Sequence, residues 1–290
     1  VSDTPLLVSI NGDLTPADQP VVGSSDRGFL YGDGLFETVR AYDGVPCLLA
    51  EHAARLRASA EELRFGPAAV PDTLEADVAR LLEANALRDA YIRISLTRGP
   101  HQGVLDLEPP SRPTLVIVAR PVHAPDEAAY REGQSATIAS IRQNADSPLP
   151  RHKTLNYLGN LLARTEARER GAHEAILLNT RGEVAEAAAS NVFLVLGDRI
   201  VTPSLDVNIL PGVTRSNVLS VARGMRRPVE ERTVWPDELR AADEVFLTNS
   251  IVEIMPVRSV DGHKVGAGPP WSTAAALRKA YREGVGLARG

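Results

Sequence analysis

Lysine occurs at only three positions in this chain, Lys153, Lys264 and Lys279, and arginine supplies the rest of its permanent positive charge. Arginine can replace lysine on a solvated face but cannot form an imine with a carbonyl compound. An amine that does so must be partly desolvated, so that it is neutral when it reacts. Lys264, in the turn-like Asp261-Gly262-His263-Lys264, and Lys279, beside Arg278 and Arg282, have the settings of solvated cations. Lys153 differs. It follows the proline-fixed loop Ser147-Pro148-Leu149-Pro150 and leads into a helix whose apolar face is marked by Leu155, Leu158, Leu162 and Ala163. Glu186 is flanked by small residues in Ala185-Glu186-Ala187-Ala188-Ala189-Ser190-Asn191, which would let a flat ring approach the backbone, although its spacing alone reads as an exposed loop glutamate. Leu210-Pro211-Gly212-Val213-Thr214-Arg215 breaks from loop into helix with Thr214 in the first turn. Backbone amides cradle a phosphate in that form, which is equally that of an ordinary helix start. Arg55 would either add charge to a phosphate or sit on a helix surface. An amine, an acid and a phosphate cradle are what pyridoxal 5'-phosphate needs to act as electron sink for chemistry at the α-carbon of an amino acid.

Other chemistries find less support. The six histidines are scattered without His-x-x-x-His spacing, and Cys47, the one cysteine, permits neither an internal disulfide nor a cysteine metal site, so no metal is expected. Its neighbours Val45, Pro46, Leu48 and Leu49 suggest a buried small hydrophobe. There is no Gly-x-Ser-x-Gly elbow. Tyr31-Gly32-Asp33-Gly34 lacks the spacing of a nucleotide loop and reads as a turn beside a pocket. A formal charge of −5, with acids and arginines interspersed, offers no basic stripe to nucleic acid or anionic lipid. No apolar run approaches the roughly 20 residues that span a bilayer. The expected setting is cytoplasmic and the expected partners are small molecules.

With 290 residues, 43% of them hydrophobic, the chain can fill more than one core. Alternating residues predict a hairpin through Asn11-Gly12 and a second through Asp43-Gly44, between Phe36 to Tyr42 and Val45 to Leu49. Helical spacing follows at Glu51 to Leu63 and Asp72 to Leu87, then strands at Tyr91 to Thr97 and Thr114 to Ala119. These make an N-terminal α/β domain over 1–119. The proline-interrupted stretch 120–128 reads as a linker, and 129–290 as a second domain with strands at Ala136 to Ile141, Ala175 to Leu178, Asn191 to Leu196, Ile200 to Val201 and Glu244 to Thr248. Helices are predicted after Lys153, after Gly212 and from about Ser272.

The text of these segments, in order, resembles the successive motifs of class IV aminotransferases. The likeness runs through Asp26-Arg27-Gly28-Phe29-Leu30-Tyr31-Gly32-Asp33-Gly34-Leu35-Phe36-Glu37-Thr38-Val39-Arg40, His152-Lys153-Thr154-Leu155-Asn156-Tyr157-Leu158, Glu186 to Asn191 and Leu210 to Arg215. It continues through Ala242 to Ser250 and Met255 to Gly262, so that it covers nearly the whole chain. The resemblance implies an α/β (α+β) protein of fold type IV. Such a protein has a small N-terminal α/β domain and a larger C-terminal domain built on a barrel-like sheet, with pyridoxal 5'-phosphate between them, and normally works as a homodimer or a larger assembly of dimers. It implies that Lys153 forms the Schiff base, that Glu186 pairs with the pyridine nitrogen, and that Tyr157 meets the ring hydroxyl. Arg55, Val213, Thr214, Asn249 and Ser250 would complete the cofactor site. Tyr31, Phe36, Thr38, Tyr91, Arg93, Arg98 and Ile251 fall at substrate positions, and the loop His101 to Leu107 at the partner subunit's site.

The specificity positions point in different directions. Tyr91 and Arg93, alternating on one strand face, resemble the carboxylate-binding pair of branched-chain aminotransferases. Thr38, where those enzymes usually carry glycine, and Asn249 are closer to 4-amino-4-deoxychorismate lyase. Arg98 with His101 is similar to the carboxylate trap of D-amino-acid aminotransferases, at altered spacing. A transaminase acting on amino and keto acids ranks first, the lyase second and D-specificity third. A cofactor-free binding protein on the same fold stands as the alternative of another class.

Overall fold

The computed structural model describes residues 6–19, 22–66, 68–100, 105–107 and 112–287. Residues 101–104 of the loop expected at a partner's site, His101 included, lie outside them. The chain folds as two compact units, one made of the residues up to His123 with His152–Asn156, the other of Ala124–Arg151 with the residues from Tyr157 onward. The first division falls inside the stretch 120–128. The five residues around Lys153, assigned by sequence to the second domain, fold with the first.

The first unit contains β1 (Leu7–Ile10), β2 (Asp13–Pro16), α1 (Arg27–Tyr31), β3 (Gly34–Tyr42), β4 (Val45–Pro46), α2 (Leu49–Glu62), α3 (Leu74–Ala84), β5 (Ala90–Thr97) and β6 (Thr114–Pro121). Its strands form an antiparallel sheet in the order β2-β1-β6-β5-β3-β4. Alternation decides the faces. Leu35, Val39, Ile92, Ile94 and Leu96 all point to one side, where they pack in a core with Leu56 of α2 and Leu74, Val78 and Leu81 of α3. Each fully buried side chain of this size stabilises the fold by about 2 kcal/mol. The strand expected to run to Leu49 stops at Pro46, because Leu48 turns left-handed (φ 54°) and α2 begins at Leu49. Cys47, expected to be buried, is therefore only half-buried in that turn.

The second unit contains α4 (Glu127–Glu132), β7 (Gln134–Gln143), α5 (Leu158–Glu169), β8 (Glu174–Asn179), β9 (Val184–Ala187), β10 (Asn191–Leu196), β11 (Arg199–Pro203), α6 (Val213–Gly224), β12 (Val229–Arg232), α7 (Pro236–Ala241), β13 (Glu244–Asn249), β14 (Glu253–Val260), β15 (His263–Lys264) and α8 (Ser272–Gly284). The sheet order is β12-β11-β10-β13-β14-β7-β8-β9, with β15 on β14. This sheet must curl. In a flat sheet β9 would lie five strand spacings from β10, roughly 24 Å. Only residues 188–190 join the two strands, and a link that short reaches about 14 Å. The curl encloses a core of Ile176, Val184, Val192, Leu194, Val245, Leu247 and Val257, closed by Leu239 of α7.

The helix expected to begin near Leu155 begins at Leu158, because Leu155 N donates to Gly34 O at 2.9 Å and holds that stretch extended. Its buried face is Ala163 and Ala167, whereas Leu158, Leu161 and Leu162 are 67%, 53% and 52% exposed. The apolar stripe read from the leucines therefore faces outward. Among the described residues no helix is long and apolar enough to cross a membrane, and no cluster of three or more His, Cys, Asp or Glu side chains is placed to hold a metal ion.

Candidate active site

In the first unit, the sheet face opposite α2 and α3 gathers the predicted substrate positions. Phe36, Thr38 and Arg40 of β3 lie opposite Ser95, Arg93 and Tyr91 of β5, with Arg120 of β6 beside Tyr91. The Arg93 guanidinium stacks on the Phe36 ring at 3.9 Å, and its Nε donates to Ser95 at 3.2 Å. Arg120 covers the Tyr91 ring at 4.6 Å. One face thus carries Arg40, Arg93 and Arg120, a cationic lining that suits carboxylates. Strand alternation would have brought Arg40 and Arg120 forward, though neither was singled out from the sequence. Tyr31, at the end of α1, is 49% exposed, with Arg27 over its ring at 5.5 Å.

The Lys153 segment is laid against β3. Phe36 N donates to Lys153 O at 2.7 Å, Thr154 bridges to Leu35, and the Lys153 Nζ stands 4.6 Å from the centre of the Phe36 ring. His152 is buried beside it, with Nδ1 3.0 Å from Ser59 Oγ and Nε2 3.3 Å from Glu62 on α2. This close approach requires glycine at position 34, since a Cβ there would come within 2.5 Å of Leu155 Cδ1 and 2.7 Å of Leu96 O. The turn-like Tyr31 to Gly34 motif is the track on which the lysine segment rests. Lys153 is half-buried, while Lys264 and Lys279 are exposed.

Two arginines of the first unit are bound by their own neighbours. Arg55 is not a helix-surface residue. Its Nε and Nη2 donate to Glu37 Oε1 and Oε2 at 2.8 and 2.6 Å, and His52 Nδ1 lies 2.7 Å from Oε2. Glu37 is itself buried. Burial would raise its pKa, but the Arg55 charge and the hydrogen bonds from His52 and Arg55 outweigh burial and hold it at about 2. Arg98, expected at a substrate position, is held by protein groups through each of its three nitrogens. Nε donates to Asp33 at 2.9 Å, Nη1 to Arg64 O and Nη2 to Leu63 O, both at 2.8 Å, and the guanidinium stacks 4.1 Å from the Phe65 ring centre. It is a buried clasp between the end of β5 and the residues after α2.

In the second unit the predicted cofactor positions converge on one tight segment, residues 186–191. Glu186 stands half-buried on β9, a strand too short and alanine-rich to have been read as one. Its Oε2 lies 3.3 Å from both Asn191 Nδ2 and Leu210 N. The Tyr157 hydroxyl donates to Ala188 O at 2.7 Å, so toward a ring hydroxyl this phenol acts as acceptor. Asn249 Nδ2 donates to Ala189 O at 3.1 Å and Ser190 Oγ at 2.9 Å, while Oδ1 accepts from Ile251 N and Val252 N, both at 2.8 Å. Those four bonds use an amide's full capacity. The Asn249 side chain thus frames the Ser250–Val252 turn.

α6 begins at Val213 with Gly212 as N-cap, and no side chain caps its first amides. Thr214, in the first turn, is buried. A Cβ on Gly212 would come within 2.0 Å of Asn191 Oδ1, so only glycine lets this helix start pack beside the Glu186 segment. Each unit by itself holds groups of the kinds a pyridoxal phosphate needs: the first a half-buried amine, the second an acid beside the N-terminus of a twelve-residue helix, whose positive dipole end suits phosphate.

The chain is similar to known proteins over nearly its whole length. The family model for amino-transferase class IV matches residues 34–260. A D-alanine aminotransferase of Bacillus licheniformis is 34% identical, covering 91% of each chain. An aminodeoxychorismate lyase of Bacillus subtilis is 30% identical over 96% of this chain and 94% of its own. Among solved structures, a branched-chain aminotransferase of the archaeon Thermoproteus uzoniensis, with norvaline, superposes with a TM-score of 0.86 at 31% identity, covering 98% of this chain and 96% of that one. A further branched-chain amino acid aminotransferase, from T.th. and complexed with N-(5'-phosphopyridoxyl)-L-glutamate, superposes with a TM-score of 0.87 at 29% identity, covering 98% of this chain and 95% of that one.

Proposed function

Because the chain belongs to the class IV aminotransferase family, with the two-domain architecture of fold type IV, we propose that it is a pyridoxal 5'-phosphate-dependent aminotransferase. It moves an amino group between an amino acid, branched-chain or D, or an amine, and an α-keto acid in a ping-pong cycle. One observation carries the reading: the only lysine that is not exposed is held against β3 beside Phe36, on the sheet face lined by Arg93.

When bound, pyridoxal phosphate supplies an electron sink that stabilises negative charge at the substrate α-carbon. Lys153 Nζ would hold the cofactor by its aldehyde and, when freed, would move the proton at the substrate α-carbon. Glu186 would pair with the ring nitrogen and keep it protonated, and the Tyr157 oxygen would accept from the ring hydroxyl. The first amides of α6, with Thr214 and Ser250 and, as the resemblance implies, Arg55, would hold phosphate. Arg93 and Tyr91 would orient the substrate carboxylate on the face that also carries Phe36 and Thr38, and Tyr31 and Ile251 are the further substrate positions that the resemblance implies. The outward leucines of α5 support a homodimer, which sedimentation measures directly.

A second reading, elimination of pyruvate from 4-amino-4-deoxychorismate, is favoured by Thr38, whose side chain stands opposite Arg93 where branched-chain enzymes usually carry glycine. The test offers the purified protein an amino donor with a keto acid and, separately, aminodeoxychorismate. Amino transfer is expected; pyruvate and 4-aminobenzoate formed without a keto acid would reject it in favour of the lyase. Visible absorbance lost in Lys153→Ala is expected in either case, and a colourless protein that takes up no cofactor would return it to the class of binding proteins.

A further inference from the structure

We propose that Asn191 is a positioning residue that holds the Glu186 carboxylate in place for the ring nitrogen. The inference rests on the reading of Glu186 given above. Asn191 opens β10, where its backbone is paired with Thr248 of β13, so its side chain starts from a fixed point in the sheet. Its Nδ2 lies 3.3 Å from Glu186 Oε2 and donates to Leu210 O at 3.0 Å. Leu210 N meets the same Oε2 at 3.3 Å. One amide therefore ties together the acid and the loop that enters α6. Its other end is also constrained, because the absent Cβ of Gly212 leaves the space that Asn191 Oδ1 fills.

The chemistry of the residue type matters. Glutamate has three side-chain torsions, and Glu186 stands on a strand of only four residues, half-buried. A competing attraction lies close by: Arg215, buried and fixed by Pro203 O at 2.9 Å and Glu231 at 3.0 Å, is within Coulombic reach of Glu186. A cationic donor in place of Asn191 would hold the carboxylate but cancel the charge that keeps a pyridine nitrogen protonated. A neutral amide fixes one oxygen and leaves the charge in place.

The test is a double-mutant cycle on the holoenzyme, with Asn191→Ala, Glu186→Gln and the two combined, read by cofactor dissociation constant and by the visible spectrum against pH. Asn191→Ala should weaken cofactor binding about tenfold and move the spectrum in the same direction as Glu186→Gln. The combined variant should match Glu186→Gln within about twofold, because Asn191 acts through Glu186. Additive losses would overturn the proposal and make Asn191 a packing residue. Asn191→Leu, a neutral side chain of similar shape without the donor, should reproduce Asn191→Ala and guards against a loss of fold. A separate readout uses cofactor-free protein with carbon-13-labelled glutamate, in which Glu186 should titrate at higher pH once the amide is removed. An unchanged titration overturns the positioning role. If instead Glu186→Gln leaves both the spectrum and cofactor affinity intact, the ring-nitrogen reading itself fails.

Discussion

Replacing Glu37 by glutamine tests whether the buried charge cluster beneath β3 supports the Lys153 segment. Glu37 is 1% exposed and follows directly after Phe36, the residue whose amide binds Lys153 O. Its carboxylate receives Arg55 on both oxygens and His52 on one. Burial opposes ionisation here, yet the Arg55 charge and the hydrogen bonds lower its pKa from 4.5 to about 2. At about 1.4 kcal/mol per pH unit, that displacement is worth roughly 3 kcal/mol of stability. The sign follows from a depressed folded-state value. The contribution is complete above pH 4.5 and is lost as pH falls through about 2. Glu37→Gln should therefore be less stable than the parent by about 3 kcal/mol at pH 7, a size consistent with breaking a buried ion pair. Urea unfolding of both proteins at a series of pH values from 7 to 3 measures the gap, which should stay constant down to about pH 4.5 and then narrow. A gap that stays the same at every pH, or one below about 1 kcal/mol at pH 7, would refute the reasoning and leave Glu37 a shape-filling residue.

Arg98→Lys should cost about 3 kcal/mol in guanidinium unfolding, since an ammonium cannot reach Asp33, Arg64 O and Leu63 O together, while the KM for the keto acid changes less than about twofold. Retained stability with a raised KM would restore Arg98 to the substrate pocket. Glu174, buried at the start of β8, has its pKa raised above 4.5 by burial, only partly offset by Arg164, a hydrogen bond from Ala175 N and Arg168. Its carboxyl therefore favours the folded state most below pH 4.5, and that contribution is lost as pH rises through the folded-state value. Glu174→Gln should be more stable than the parent at pH 8 and no more stable at pH 4, measured by thermal unfolding; a pH-independent difference would contradict this.

The elements whose faces are written in local periodicity were legible in the sequence. β3 and β5 alternate apolar residues on the helix side with Phe36, Thr38, Tyr91 and Arg93 on the other, so the sheet and its polar face follow from composition at every second position. Lys153 stood out because arginine had taken nearly every surface role. The leucines after it misled, because periodicity gives the angle of a stripe and not its direction. Ala163 and Ala167 allow α5 to pack closely, and the larger leucines turn outward.

What periodicity could not carry were contacts between residues far apart in the chain. Whether Arg98 meets a substrate or clasps Leu63 O depends on a loop more than thirty residues away. Whether Asn249 is a ligand or a frame depends on Ala189, 60 positions earlier. The types of the reactive groups and the period of the strands reside in the chain itself, because they are properties of single residues and near neighbours. Which donor faces which acceptor is decided only when the curled sheet brings β9, β10 and the start of α6 together, since a hydrogen bond is set by distance in space and not by separation in sequence.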